Sequence, residues 1–339
     1  MATTGDLAPM SARGWPPPPK GFRARGPSEQ DLDALVALYG EVARARNLEP
    51  TTAADIRLRW DGPRWYDEGI IVERKSDGLL AGYAQFTRDV GWDGGLRLWT
   101  DGRVSPSATG HGLATFLITR GEVRARQVGA KLPQATRVSL RTTNDNGNDR
   151  ARQLYERLGF EAIRHLLTMR IDLAKATAVD VASPWGVTIR PVDADADLPQ
   201  VWAALQLGFA DHWDFEPTDY DEWRAILVDR SDRFDPGLWF VAEAAGQVVG
   251  AAICHAGDHA DRGMGVVQDL AVEPRWRRRH VAMSLLRKAF TTFSDRGLVR
   301  AGLEVDDITL EGALRLYEKA GMAVARRTDV YEKVLRPGT

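Results

Sequence analysis

The sequence predicts a mixed α/β fold that occurs twice in one chain, and three observations carry the prediction. Val104-Ser105-Pro106 and Val272-Glu273-Pro274 stand 168 positions apart, as do Gly82 in "LLAGYAQF" and Gly250 in "QVVGAAIC". Tyr155 in "ARQLYERLGF" recurs as Tyr317 in "ALRLYEKAGM" at an offset of 162, so one loop of the second copy is six residues shorter. Thirdly, strand-like and helix-like stretches follow one another in the same order in both halves, a pattern that gives helices packed on a sheet.

Each copy opens on a short strand, "FRAR" (22–25) or "VTIRPV" (187–192), and a helix then begins near Ser28 or Asp195, polar residues suited to an N-cap. Two strands joined by a turn come next: "IIVER" and "LLAGYAQF" around "KSDG", and "WFVAEA" and "VVGAAICH" around "AGQ". A further strand ends at Val104 or Val272 and leads through a loop into a helix, where Val281, Leu285, Ala289 and Phe293 recur every four residues. The strand "RVSLRTT" or "VRAGLEV" leads to the tyrosine-bearing helix, in which Ala151, Leu154 and Leu158 share a face and Gly159 suits a C′ position. "LLTMRIDL" and "DVYEKVL" are the final strands. The small-residue stretch "AKATAVDVASP" reads as a linker. The expected organisation is therefore a disordered Pro-rich leader (1–21), a first domain (22–173), a linker (174–185) and a second domain (186–339).

Composition narrows the function. At 339 residues the chain is long for one core, and 44% apolar with 27% charged residues describes a globular protein. A net charge of −2 supplies no field to recruit nucleic acid or a membrane. One cysteine, Cys254, excludes an internal disulfide and fits a reducing cytoplasm. No apolar run approaches a membrane span, and "MATTGDLAPMSARGWPPPPKG" has no signal-peptide core. The six histidines show no metal-ligand spacing and no serine sits in G-x-S-x-G, so neither a metal site nor a hydrolase triad is expected.

The loop "SPSATGHGLA" (105–114) carries the chemistry. Unpaired amides at a helix N-terminus favour phosphate, and glycines at 110 and 112 let phosphate oxygens approach them. Alone this string is a common tight turn. Between a V-x-P strand end and a helix, with Asn148, Tyr155 and Gly159-Phe160 downstream, it becomes specific. Together these residues resemble the GNAT superfamily of N-acetyltransferases, whose pyrophosphate loop reads Q/R-x-x-G-x-G/A. That pattern falls on Thr109, Gly110, His111, Gly112, Leu113 and Ala114, and again on Arg277, Arg278, Arg279, His280, Val281 and Ala282. The resemblance covers both halves, and the layout is similar to that of actinobacterial two-domain acyltransferases of the mycothiol synthase type.

The resemblance implies two tandem GNAT-type domains, each a mixed, mostly antiparallel sheet flanked by helices. It implies an acyl donor, acetyl-CoA or another acyl-CoA, with its pantetheine arm between splayed strands. A strand amide near Val104 or Val272 would polarise the acyl carbonyl. Tyr155 or Tyr317 would protonate the leaving thiolate, unless these tyrosines only anchor their helices. Asp101 and Asp269, each three residues before the valine, are candidate bases or else turn residues. Asn148 is either a pantetheine contact or an N-cap. The segment "GFADHWDFEPTDYDEW" (208–223) places His212, Trp213 and Asp214 on the expected acceptor side, where aromatic rings beside carboxylates suit a cationic small-molecule amine.

The copies differ where it matters. The first keeps Gly110, Gly112, Asn148 and Tyr155; the second has Arg278 and His280 at glycine positions, and a β-carbon at 280 is expected to crowd a pyrophosphate. Donor binding is therefore expected in the first copy, although the second has the richer acceptor segment. The run Arg275, Arg277, Arg278, Arg279 is a solvated face, a grip on CoA phosphates, or a dock for an acyl carrier protein delivering an acyl-phosphopantetheine thioester. The expected activity is N-acyl transfer to an amine of an aminosugar, cysteine-type or secondary-metabolite acceptor; the alternative is a non-catalytic acyl-CoA-binding or partner-binding relative.

Overall fold

A computed structural model describes residues 15–46, 48, 51–60, 68–91, 94–145, 147–175, 184–212, 215, 217–231, 233–257, 263–306 and 311–338. The first half runs β1 (Phe22–Arg25), α1 (Leu32–Arg46), α2 (Ala53–Arg59), β2 (Gly69–Arg74), β3 (Leu80–Val90), β4 (Leu96–Val104), α3 (Leu113–Gly129), β5 (Val138–Asp145), α4 (Asp149–Arg157) and β6 (Glu161–Asp172). The second runs β7 (Thr188–Pro191), α5 (Leu198–Phe209), α6 (Tyr220–Arg224), β8 (Phe240–Ala244), β9 (Gln247–Ala256), β10 (Met264–Val272), α7 (Val281–Asp295), β11 (Arg300–Asp306), α8 (Glu311–Lys319) and β12 (Ala323–Arg336).

Two compact units result: residues 1–163 with 329–339, and residues 164–328. They differ from the domains 22–173 and 186–339 expected along the chain. Residues 164–172 of the first half complete the second unit, and the last strand of the second half completes the first. Leu167, Met169 and Ile171 accordingly lie in one core with Leu285 and Phe293, while Tyr331 lies in another with Leu98 and Leu140.

In the first unit the strand order is β1-β2-β3-β4-β5, then β12; in the second it is β7-β8-β9-β10-β11, then β6. Pairing is antiparallel along β1-β2-β3-β4 and β7-β8-β9-β10, and parallel for β4–β5 and β10–β11. One face of the first sheet buries Leu35, Ile56 and Tyr83 under α1 and α2, and the other buries Leu98, Leu117 and Leu140 under α3. The period of four read from Val281 to Phe293 is the buried stripe of α7.

The repeated details have physical causes. Arg25 ties the capping acid Asp31 to Glu73 on the neighbouring strand, and Arg190 ties Asp197 to Glu243 in the same way. The second helix is thus preceded by Asp197 rather than Asp195. At Gly250 a Cβ would stand 2.9 Å from the Ala271 carbonyl oxygen, whereas at the matching Gly82 the nearest atom, the Arg103 carbonyl oxygen, is 3.4 Å away. The leader also differs from expectation. Residues 15–19 have no regular structure, yet the Trp15 ring lies 3.0 Å from the Arg120 guanidinium and Pro19 reaches the first turn of α3. A proline run is already stiff, so packing it costs little further chain entropy.

Candidate active site

In both units a parallel strand pair splays open. β4 and β5 stay in register from Leu96/Val138 to Thr100/Thr142, after which β4 continues to Val104 and β5 to Asp145 without pairing. The Thr142 hydroxyl donates to the Thr100 carbonyl at 3.0 Å and closes the apex. β10 and β11 pair only from Met264/Arg300 to Val266/Gly302, so this gap opens earlier in the strand. A bulge between Val267 and Asp269 follows, which adds twist and re-aims the side chains beyond it. Val104 and Val272 sit at the far ends of the unpaired stretches, and their backbone edges facing the gap have no strand partner there.

Each gap ends at a loop and a helix N-terminus. Gly110 and Gly112 have φ of 88° and 78°; Arg278 and His280, their counterparts, have φ of 62° and 63°. Losing the glycines changed the cost of the turn and not its shape. A left-handed L-residue costs roughly 1–2 kcal/mol, and histidine enters that region more readily than most. Leu113-Ala114 and Val281-Ala282 then begin α3 and α7 with their first amides unpaired within the helix. The second loop thus keeps the left-handed backbone form of the first although Arg278 and His280 stand at its glycine positions.

The arginine run is largely engaged internally. Arg277 donates through Nε to the Val272 carbonyl (3.3 Å) and through Nη2 to that of Gly208 (2.9 Å), and it forks onto Asp211 at 2.6 and 2.9 Å. It bolts the loop to the end of α5. Arg275 pairs with Glu273 at 2.7 Å, and Arg279 lies over the Trp276 ring at 5.0 Å. Arg278 is exposed and engages none of the described residues. In the first unit the Thr109 hydroxyl makes a long bond, 3.5 Å, to the Ser105 carbonyl. A face of four free arginines therefore does not form.

The candidate bases diverge. Asp101 is ion-paired with Arg103 and accepts from the Tyr39 hydroxyl at 3.4 Å. Asp269, just past the bulge, meets only the Gln268 amide, at 3.3 Å, among the described residues, and burial pushes its carboxyl up to about 6. The tyrosines diverge as well. The Tyr155 hydroxyl donates to the Thr143 carbonyl (3.4 Å) on the unpaired part of β5, and burial raises its pKa. Tyr317 is buried, its phenol is pushed up to about 12 by desolvation, and its hydroxyl makes no hydrogen bond among the described residues. Asn148 caps α4, accepting from the Ala151 amide at 3.3 Å.

On the acceptor side His212 packs edge-on against Phe209, with ring centroids 4.8 Å apart. Burial lowers its pKa against the pull of Asp211 and Asp306, so the ring is neutral at pH 7. Trp213 and Asp214 lie outside the described residues. Sequence reasoning missed the Arg277 clamp, although the Q/R position of the motif marked the residue that makes it. Among the described residues no group of three metal-ligating side chains occurs, and no helix is long and apolar enough to cross a membrane.

The model of the acetyltransferase (GNAT) family matches residues 37–160 and again 198–322. A mycothiol acetyltransferase from Streptomyces avermitilis is 30% identical over 300 residues, spanning 87% of this chain and 89% of the relative. One from Kineococcus radiotolerans is 30% identical over 328 residues, spanning 93% and 97%. The crystal structure of a GCN5-related N-acetyltransferase from Sphaerobacter thermophilus is 27% identical, with a TM-score of 0.80 over 95% of this chain and 98% of that one. Two matches to one family model, each spanning a unit's loop, splayed strands and tyrosine helix, place this chain in the acetyltransferase (GNAT) family as a tandem acyltransferase.

Proposed function

We propose that the second unit transfers an acetyl group from acetyl-CoA to the amine of a small molecule, of the kind used by the mycothiol acetyltransferases it resembles. One observation carries this reading: the second loop keeps its left-handed turn at Arg278 and His280 despite the strain, beside the strand gap that opens earlier along its strand. Backbone strain held at a ligand-binding turn is a mark of use. The α7 N-terminus and the exposed Arg278 would hold the pyrophosphate, and the unpaired edge of β10 up to Val272 would face the pantetheine and the acyl oxygen. Acetyl-CoA supplies the activated thioester.

The chain's own residues then supply the proton transfers. Asp269, with a pKa of about 6, is ionised at pH 7 yet basic enough to accept the proton of an acceptor ammonium. Tyr317 stays protonated at any working pH and donates to the departing sulfur. His212 and Asp211, joined to the donor loop through Arg277, flank the acceptor side. A cationic amine fits this partly acidic surround. Because Arg275 and Arg277 are held by carboxylates, the reading favours CoA over a carrier-protein thioester as donor.

The test is steady-state turnover with acetyl-CoA in three variants. Asp269→Asn and Tyr317→Phe should each lower kcat about 10²–10⁴-fold, while Tyr155→Phe stays near wild type. The opposite pattern would return the chemistry to the first unit, which keeps Gly110, Gly112 and Tyr155.

A further inference from the structure

We infer that the first unit carries a binding site for a phosphate-bearing small molecule, on the flank of its loop that faces away from the splayed strands. A cavity of about 560 Å³ opens there, lined by Lys20, Arg74, Lys75, Ser76, Ser107 and His111 together with Gly21 and Phe22. Strand order fixes the flank. β1 and β2 lie on one side of β4 and β5 on the other, so the cavity and the strand gap occupy opposite sides of β4. No residue of β5 or α4 lines it.

The lining has the chemistry of an anion site. It contains four groups that carry or can carry positive charge, two hydroxyls and no carboxylate. Arg74 donates to the Ser107 hydroxyl at 3.0 Å, tying the β2–β3 turn to the loop, and its other arm meets Asp77 at 3.0 Å. Lys20 and Lys75 are exposed and pair with no described carboxylate. Their backbones are nonetheless fixed. The Lys75 amide donates to the Gly21 carbonyl (2.9 Å) and the Phe22 amide to that of Pro19 (3.1 Å). The packed leader thus sets the position of Lys20. Phe22 and His111 lie ring against ring, centroids 5.7 Å apart, and give the site one aromatic wall.

The duplicated frame supplies an internal control. With Arg25 and Glu73 matched to Arg190 and Glu243, the positions of Lys20, Arg74 and Lys75 are held in the second copy by Trp185, Ala244 and Ala245. The same strand pair forms there, joined by a shorter turn at Ala245 and Gly246, without any of the three cations. The fold does not need them, so their convergence on one cavity calls for a ligand. Clustered cations, hydroxyls and an aromatic wall match a phosphomonoester attached to a ring, as in a nucleotide. Two sources fit: the 3′-phosphoadenosine end of a CoA molecule, or a separate phosphorylated metabolite. The inference does not depend on which unit does the chemistry.

The test is calorimetric titration of the full chain and of the Lys20→Ala/Lys75→Ala variant with adenosine 3′,5′-bisphosphate, inorganic phosphate, CoA and dephospho-CoA. Both lysines are exposed, so the variant should melt with the wild type. Loss of two charged contacts should weaken adenosine 3′,5′-bisphosphate about tenfold, and wild-type affinity should fall as salt rises. If CoA is the source, wild type prefers CoA over dephospho-CoA and the variant loses the preference. If a separate metabolite is the source, that ratio stays fixed while the bisphosphate and phosphate weaken. Equal affinities of wild type and variant for all four probes would overturn the site.

Discussion

At the scale of single residues, two equivalent aspartates show how environment decides chemistry. Asp101 and Asp269 hold the same place in the repeat, but Arg103 neutralises the first, while burial without a cation raises the second to about 6. For a carboxyl whose folded pKa lies above its ordinary 3.8, the native state holds the proton more tightly than the unfolded chain. Its contribution to stability is therefore present at low pH and declines as pH rises from about 3.8 to about 6. Activity runs the other way: a base must be ionised, so kcat/KM should rise with pH through about 6 and then level. Asp269→Asn should lose that limb as well as rate, and a pH profile unchanged in shape would remove Asp269 as the base. This difference was not legible in the sequence, because it depends on Arg103 reaching one carboxylate and on a bulge turning the other. The tyrosines, by contrast, could be read from spacing alone.

Among the elements, the second loop is the instructive case. Glycine is the usual sequence signal for a left-handed turn, so its absence at 278 and 280 argued for a damaged loop. The frame overrides the local preference: β10 and α7 fix both ends, and Arg277 fastens the middle to Gly208 and Asp211. His280→Gly should therefore raise stability by about 1 kcal/mol, seen as a higher Tm, since glycine adopts φ near 63° without strain. A fall in stability would mean that the His280 side chain holds the loop. Arg277→Lys tests the clamp itself. An ammonium cannot fork onto Asp211 while also reaching the Val272 and Gly208 carbonyls, so the loop and the His212 segment should loosen together. KM for donor and acceptor should both rise, with kcat less affected. A change confined to one substrate would show that Arg277 serves only that side. The strand gap is similarly hidden from sequence, because side-chain alternation continues through β4 and β10 whether or not their backbones are paired.

For the molecule as a whole, the exchange of last strands is what the sequence concealed. "LLTMRIDL" and "DVYEKVL" both read correctly as strands, and an apolar alternation fits either sheet; nothing in it says which. Besides Tyr331 in the core, charge ties β12 to the first unit: Glu332 accepts from Arg137 at 2.5 and 3.1 Å and from Arg141 at 2.9 Å. Burial alone would raise this carboxyl, but the two guanidiniums outweigh it and hold it at about 2. The sign is that of a depressed acid. Its stabilisation is complete above the ordinary 4.5 and is lost as pH falls from about 4.5 towards 2. Glu332→Gln removes the buried carboxylate that Arg137 and Arg141 both donate to, and should cost about 3 kcal/mol at pH 7. Thermal melts at pH 7 and pH 3 check both parts: the variant should melt lower at pH 7, and the gap to wild type should narrow at pH 3. The same exchange means that cleavage within 176–183 should not separate the halves, because each compact unit contains strands from both. Co-elution of the two fragments after such a cut is the expected result, and their separation as folded monomers would refute the exchange.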